Sequence, residues 1–187
     1  MNNDFERHIV EKCAPTLAGI KPGNLFYYKA KEGENIDGIA FDWNRRLEKK
    51  GIRVILVRKE ISSGLVYVYR PSILSSLFSN AEVRSFLDGF GFSGCRLVED
   101  YIGRLILRFN DKSGFPHEIG IFLGYPLNDV KGFIDNKGKG FSICGLWKVY
   151  DDKMLAESLF EQYRRCSSVY TALYNSGKDI LNLGVLP

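Results

Sequence analysis

The apolar residues of this chain recur at helical spacing in several stretches. Within residues 4–14, Phe5, Ile9 and Cys13 lie four positions apart and share one helix face. Pro15 disfavours helical backbone at the residue before it, so this helix is expected to end just before Pro15. Broader stripes with i, i+3, i+4 and i+7 spacing predict three longer helices, over residues 35–50, 96–109 and 151–173.

Proline and capping residues predict further short helices. Pro71 suits the first position of a helix over residues 71–78. Ser79 with Glu82 matches a capping box for the helix that follows. Pro126 is expected to open another helix later in the chain.

Short apolar runs rich in β-branched and aromatic residues predict strands. Residues 52–59 and 65–70 are nearly apolar throughout, and a short linker with Gly64 separates them, which predicts a hairpin buried on both faces. Pro116 cannot lie inside a central ladder, so a strand is expected to begin after it. The predicted strands comprise residues 25–30, 52–59, 65–70, 118–123 and 141–149.

Together these elements predict one α+β domain over residues 1–187. Its sheet is expected to be mixed, with four or five strands that are partly antiparallel and covered by several helices. In this scheme residues 1–20 form an N-terminal helix and loop. Residues 151–187 form a C-terminal helix and tail packed on the domain.

Composition narrows the function classes. A net charge of +4 over 187 residues is mild, whereas a dedicated nucleic-acid-binding protein carries a denser basic stripe. No apolar run approaches the length of about 20 residues that spans a bilayer, and the opening MNNDFERH lacks the order of a secretory signal. The four cysteines are widely spread and form no CxxC pair. A cytoplasmic protein with reduced thiols is therefore expected.

Residues 115–133, FPHEIGIFLGYPLNDVKGF, hold the densest mixture of chemical groups, including His117, Glu118 and Asp129. Adjacent residues on a strand point to opposite faces, so His117 and Glu118 are not expected to act as one pair. The HExxH zinc motif is absent because Ile121 takes the place of its second histidine. The alternative role of His117 is to start the strand and hydrogen-bond a loop carbonyl.

Residues 141–150 supply a second group of candidates. Cys144, Lys148 and Tyr150 fall on one side of the predicted strand. A lysine near a thiol promotes the thiolate, but residues four apart on a strand are separated by roughly 13 Å. Cys144 with His117 could ligate a metal if a further thiol or carboxylate completed the site. The candidate catalytic residues are therefore His117, Glu118, Cys144 and Lys148.

Four segments resemble one known family: HIVEKCAPTLAGIKPGNLF, VYVYRP, FPHEIGIFLGYPLNDVKGFI and CGLWKVY, in this order along the chain. That family is the bacterial domain-of-unknown-function family 3793, seen mainly in clostridia and related anaerobes. The resemblance spans nearly the whole chain and implies a small cytoplasmic bacterial protein with no established activity, and it carries over no catalytic residue. The shared motifs imply a common pocket, in which the candidate ligand-binding residues are His8, Cys13, Lys21, Arg70, Tyr125 and Tyr150, beside His117, Glu118, Cys144 and Lys148.

Three hypotheses of function follow. The first is a small-molecule or metal-binding protein, one form of which is a thiol-dependent enzyme of anaerobic metabolism; the helix start at Pro126 would suit an anion. The alternative is a protein-interaction or regulatory module without an active site, which the many aromatic residues favour. The cofactor and the question of catalysis stay open, and no membrane partner is expected. The last hypothesis is a weak nucleic-acid binder that uses Arg45, Arg46, Lys49, Lys50, Arg53, Tyr67 and Tyr69.

Overall fold

A computed structural model of the protein describes residues 3–112 and 114–185. Within this part the strands are β1 (Gly23–Lys29), β2 (Arg53–Lys59), β3 (Ser63–Tyr69), β4 (Ile143–Cys144) and β5 (Lys148–Val149). The α-helices are α1 (Asn3–Leu17), α2 (Ile36–Glu48), α3 (Pro71–Phe78), α4 (Ala81–Leu87), α5 (Val98–Asn110), α6 (Ile119–Phe122), α7 (Leu127–Asp135), α8 (Lys153–Asn175) and α9 (Ile180–Leu183). None of these helices combines the length and apolar character that crossing a bilayer requires.

The fold is α+β and is built on a three-stranded antiparallel sheet with the order β1-β3-β2. The central strand β3 is buried on both faces, as predicted. Val66 and Val68 pack into a core formed with α1 and α2. Tyr67 and Tyr69 pack into a second core on the opposite face, formed with helices α3 to α7. A third, smaller cluster joins β5 to the first half of α8.

Two predicted strands are wrong, and they account for the smaller sheet. Residues 118–123 form the helical turn α6 instead of a strand. This run is apolar and buried all round, and a short run of that kind has the same pattern in a strand and in a buried helix. Residues 141–149 fold back on themselves as the β4–β5 hairpin. The described residues therefore form a sheet of three strands and a separate pair, not one sheet of four or five.

Two helix ends also differ from prediction. Helix α1 continues through Pro15 to Leu17, and Gly19, with φ of +73°, then ends it in the left-handed conformation that glycine adopts freely. Asn80, rather than Ser79, caps α4, since its side chain accepts hydrogen bonds from two backbone N–H groups of the first turn. The remaining helices predicted from periodicity are confirmed, with ends shifted by a few residues.

Arg70 ties the separate parts of the fold together. It directly follows β3 and is 1% exposed. Its guanidinium donates to the carbonyls of Thr16 and Leu17, at 2.6 and 2.7 Å, in the last turn of α1. It also donates to the carbonyls of Lys50, after α2, and Val185, near the C-terminus, at 3.2 and 2.9 Å. A cation at this end of α1 complements the helix dipole and satisfies carbonyls that the helix leaves unpaired.

We expect the Arg70→Met variant to lose about 2–4 kcal/mol of unfolding free energy, because four backbone carbonyls, two of them buried, lose a charged donor. Urea denaturation followed by circular dichroism measures this loss. Arg58→Met is the matched control, since Arg58 is exposed and pairs with Glu60 at only 3.7 Å. The control should change stability by about 0.5 kcal/mol or less. Equal effects of the two substitutions would contradict a structural role for Arg70.

Candidate functional site

A pocket of about 350 Å³ opens between the α6–α7 corner and the β4–β5 hairpin. Its walls are mainly apolar and carry aromatic rings from three separate segments. Leu25 of β1 closes one side. The rings that line it are Phe115, His117, Tyr125, Phe133 and Trp147, together with the side chains of Ile119, Leu123, Val130, Cys144, Leu146 and Lys148.

The corner that forms one wall depends on Gly124. Its φ is +72°, which turns the chain between α6 and α7. A Cβ atom at Gly124 would lie 2.5 Å from Cδ of Pro22, so only glycine allows this close approach. The turn directs Tyr125 into the pocket, where its ring stacks on Trp147 with centroids 4.9 Å apart and planes at 24°.

Asp129 fixes the hairpin wall to α7. The carboxylate is 2% exposed, and one oxygen accepts a hydrogen bond of 2.7 Å from Nε1 of Trp147. The other oxygen accepts from the backbone N–H groups of Tyr150 and Asp151, at 2.7 and 3.0 Å. Sequence reasoning did not predict this role, because Trp147 lies eighteen residues away and no local motif links the two. The carboxylate is therefore an anchor of the hairpin.

Cys144 and Lys148 are neighbours, contrary to the separation expected for a continuous strand. They are directly opposite each other in the β4–β5 hairpin, because the chain reverses between them. The Lys148 ammonium donates to the Gly138 carbonyl at 2.7 Å and lies 4.8 Å from the ring centroid of Phe141. The Cys144 side chain is exposed and lines the same pocket. A thiol and an amine thus share one wall.

His117 and Glu118 point in different directions, as expected, although they open a helical turn and not a strand. His117 is exposed at the pocket, with its ring 5.5 Å from Phe115 and 4.9 Å from Phe133 between centroids. Glu118 is 1% exposed and accepts a hydrogen bond of 2.8 Å from Nε of Arg108. This ion pair holds α5 to the start of α6.

The ten candidates from the sequence do not share one pocket. His117, Tyr125, Cys144 and Lys148 converge on it.

The other candidates lie outside the pocket. His8 and Cys13 lie on α1, where the His8 ring packs edge-on against Tyr28 and Cys13 is fully buried in the core beneath the sheet. Tyr150 packs its ring against Gly132, and its hydroxyl is buried without a hydrogen-bond partner in the described residues. The other three candidates, Lys21, Arg70 and Glu118, do not line the pocket.

Metal ligation finds little support in this arrangement. Across residues 3–112 and 114–185, no group of three or more His, Cys, Asp or Glu side chains is placed to hold a metal ion. His117, Cys144 and Asp129 all line the pocket, but among the described residues they are not placed to hold one metal ion together. A purpose-built metal centre requires at least three converging protein ligands.

The aromatic part of the nucleic-acid hypothesis is wrong. Tyr67 and Tyr69 are 0% and 8% exposed, so neither ring can stack on a base. Two of the basic side chains are also engaged. Arg46 packs over the ring of Trp43, and Arg53 pairs with Glu48.

Lys21 lies close to Tyr125, one of the residues that line the pocket, and is 6% exposed. Its ammonium sits 5.5 Å from the ring centroid of Tyr125 and 5.7 Å from that of Tyr163 in α8. Burial lowers the pKa of Lys21 from its usual 10.5 to about 8. The nearby Cys13 thiol opposes this shift only in part, and burial raises the pKa of Cys13 itself well above its usual range. Lys21 is therefore a desolvated amine one ring away from the pocket.

A family model spans most of the chain. It matches residues 9–184 and carries the description "Protein of unknown function (DUF3793)". The chain belongs to this family. Comparison of this DUF3793 protein with curated proteins found no match. Comparison with solved structures found none either. The function must therefore be argued from the pocket itself.

We expect the Asp129→Ala variant to release the hairpin, because Trp147 and two backbone N–H groups lose their acceptor. The chain has two tryptophans, so Trp147 is the only one that remains in a Trp43→Phe background. Its emission should shift to longer wavelength, and unfolding free energy should fall by about 2–4 kcal/mol. Asp135→Ala, at the exposed end of the same helix, is the control. An unchanged Trp147 spectrum in Asp129→Ala would refute the anchor.

We expect the Lys21→Met variant to be more stable than the wild type at pH 7, by on the order of 1–3 kcal/mol, because a buried unpaired charge is removed. The folded pKa of Lys21 is about 8 and the usual value is 10.5. The unfolded chain therefore holds more protons between these values, so wild-type stability rises across this window. The difference in unfolding free energy between Lys21→Met and the wild type should therefore narrow as the pH rises between these two values. Urea unfolding at several pH values measures this difference, and Lys12→Met, which removes an exposed lysine, is the control. A difference in unfolding free energy that does not change with pH would contradict the expectation.

Proposed function

We propose that this DUF3793 protein binds a small planar aromatic molecule that carries an anionic substituent. The observation that carries the proposal is the largely apolar pocket of about 350 Å³, lined by five aromatic side chains and by Lys148. Ligand sites in proteins are typically concave and apolar with a few placed polar groups. The volume falls within the usual range for a small-molecule site.

The aromatic walls support a planar ligand. Tyr125 and Trp147 are already stacked face to face. The His117 ring lies 4.9 Å from the Phe133 ring and 5.5 Å from the Phe115 ring between centroids, with interplanar angles of 55° and 51°. Ring faces and edges at these distances favour offset stacking and edge-to-face contact with a further ring.

The polar groups support an anionic substituent. Lys148 donates one hydrogen bond, to the Gly138 carbonyl, and an ammonium has three donors, so two are available to a ligand. His117 adds a ring nitrogen at the same pocket. The one carboxylate in the lining, Asp129, is occupied by three donors and offers little repulsion. The local charge therefore favours a carboxylate, sulfonate or phosphate on the ligand.

A thiol-dependent reaction on that ligand is a second candidate. It is supported by Cys144, an exposed free thiol opposite Lys148 in the hairpin and part of the pocket lining. The cellular location we infer is the bacterial cytoplasm. Four free cysteines in the described residues support it, since reducing compartments maintain free thiols.

The test uses 2-naphthoate as the probe and its neutral amide, 2-naphthamide, as the comparison, with both measured by isothermal titration calorimetry. We expect 2-naphthoate to bind the wild type. Lys148→Met should weaken naphthoate binding about tenfold and leave the amide unaffected, because only the acid uses the ammonium. Phe133→Ala should weaken both probes, because it removes part of the aromatic wall.

The control is Lys139→Met, which removes an exposed lysine of the adjacent loop. It should leave both affinities unchanged, and circular dichroism checks that each variant is folded. Absence of saturable naphthoate binding would overturn the proposal. Binding that is equally strong in wild type and in Phe133→Ala would also overturn it, because the ligand would then lie elsewhere.

A further inference from the structure

Lys21 is a buried cation to which the described residues supply no counter-charge. Its side chain is 6% exposed, and no residue in the described ranges forms a hydrogen bond or an ion pair with its ammonium. The rings of Tyr125 and Tyr163 flank the ammonium at 5.5 and 5.7 Å. Cation–π contacts of this kind offset only part of the cost of removing an ammonium from water. A bound anion would offset the part of this desolvation cost that the two rings leave.

The two flanking side chains end in hydroxyl groups that also have no partner. Neither the Tyr125 nor the Tyr163 hydroxyl hydrogen-bonds to any residue in the described part of the chain. Neither is sealed from solvent, in contrast to the Tyr150 hydroxyl. An ammonium and two phenols are all hydrogen-bond donors, and none has an acceptor from the protein here. This set of groups is complementary to an anion.

We propose that Lys21, Tyr125 and Tyr163 form a binding site for a small free carboxylate such as formate or acetate. The site is separate from the aromatic pocket, because neither Lys21 nor Tyr163 lines that pocket, and only Tyr125 belongs to both. The ligand must be small. The Lys21 stem is packed under the α6–α7 corner, and a Cβ at Gly124 would already lie 3.9 Å from its Cγ.

Three elements face the ammonium, and their titratable groups set the pH dependence. They are Cys13 from α1, Tyr125 from the α6–α7 corner and Tyr163 from α8, and burial raises the pKa of all three above the usual values. Lys12 lies close to Cys13 but is exposed on the outer face of α1. Only Lys21, with a pKa of about 8, therefore changes protonation state near neutral pH.

The carboxylate binds the ammonium form, so binding should be constant below the pKa of Lys21 and fall above it. At about pH 9.5 roughly one Lys21 in thirty is still protonated, which predicts a roughly thirtyfold loss of affinity relative to pH 7. Isothermal titration calorimetry with sodium acetate measures the affinity at each pH. Sodium chloride keeps the ionic strength the same in both buffers. Saturable binding at pH 7 that is lost at pH 9.5 is the expected result.

Lys21→Met should abolish acetate binding while the variant remains folded, and Tyr163→Phe should weaken it several-fold. Lys12→Met, which removes an exposed positive charge on α1, should bind acetate like the wild type. Phe133→Ala, which damages the aromatic pocket, should also bind acetate normally, so the two proposals can fail independently. Acetate binding that survives in Lys21→Met, or that is absent from the wild type at pH 7, would overturn the proposal.

Discussion

The buried guanidinium of Arg70 is the interaction on which the rest of this fold depends. It brings the end of α1, the loop after α2 and the C-terminal segment to the end of the central strand. The backbone N–H of the same residue donates to the Pro22 carbonyl at 2.8 Å, which fixes the loop that carries Lys21. Pro22 in turn packs against Gly124, so the backbone and side-chain contacts of this one residue together fix the position of the pocket corner.

The four buried charged side chains of the described residues have four different environments. Arg70 is surrounded by backbone carbonyls, and Asp129 by an indole and two backbone N–H groups. Glu118 is paired with Arg108. Each of these groups is satisfied by the protein and stabilises the junction between elements. Lys21 is the exception, because its ammonium lies between aromatic rings and has no hydrogen-bond acceptor among the described residues.

Tyr125 connects the two candidate sites. One neighbour of its ring is Trp147, in the wall of the aromatic pocket, and another is the Lys21 ammonium. The residue sits at the corner set by Gly124, directly before the proline that precedes α7. A change in the angle of this ring would alter both the width of the pocket and the surroundings of the lysine. The family motif that contains Gly124, Tyr125 and Pro126 thus has a physical role at this junction.

Local pattern predicted the α+β class, the main helices and the 52–70 hairpin, because helical and strand periodicity is written into neighbouring residues. It also selected His117, Tyr125, Cys144 and Lys148, which meet in one pocket. It failed for residues 118–123, where an apolar run buried on all sides has no distinguishing period.

Only the tertiary structure decided which side chains find partners. Contacts between separate elements produce three of these features: the hydrogen bond from Trp147 to Asp129, the carbonyl acceptors around Arg70, and the proximity of Cys144 to Lys148. The isolation of Lys21 has the same origin. The sequence by itself determined the α+β class and most of the helices and strands. Long-range packing determined the remaining elements and the chemistry, because hydrogen bonds and desolvation depend on neighbours that are distant along the chain.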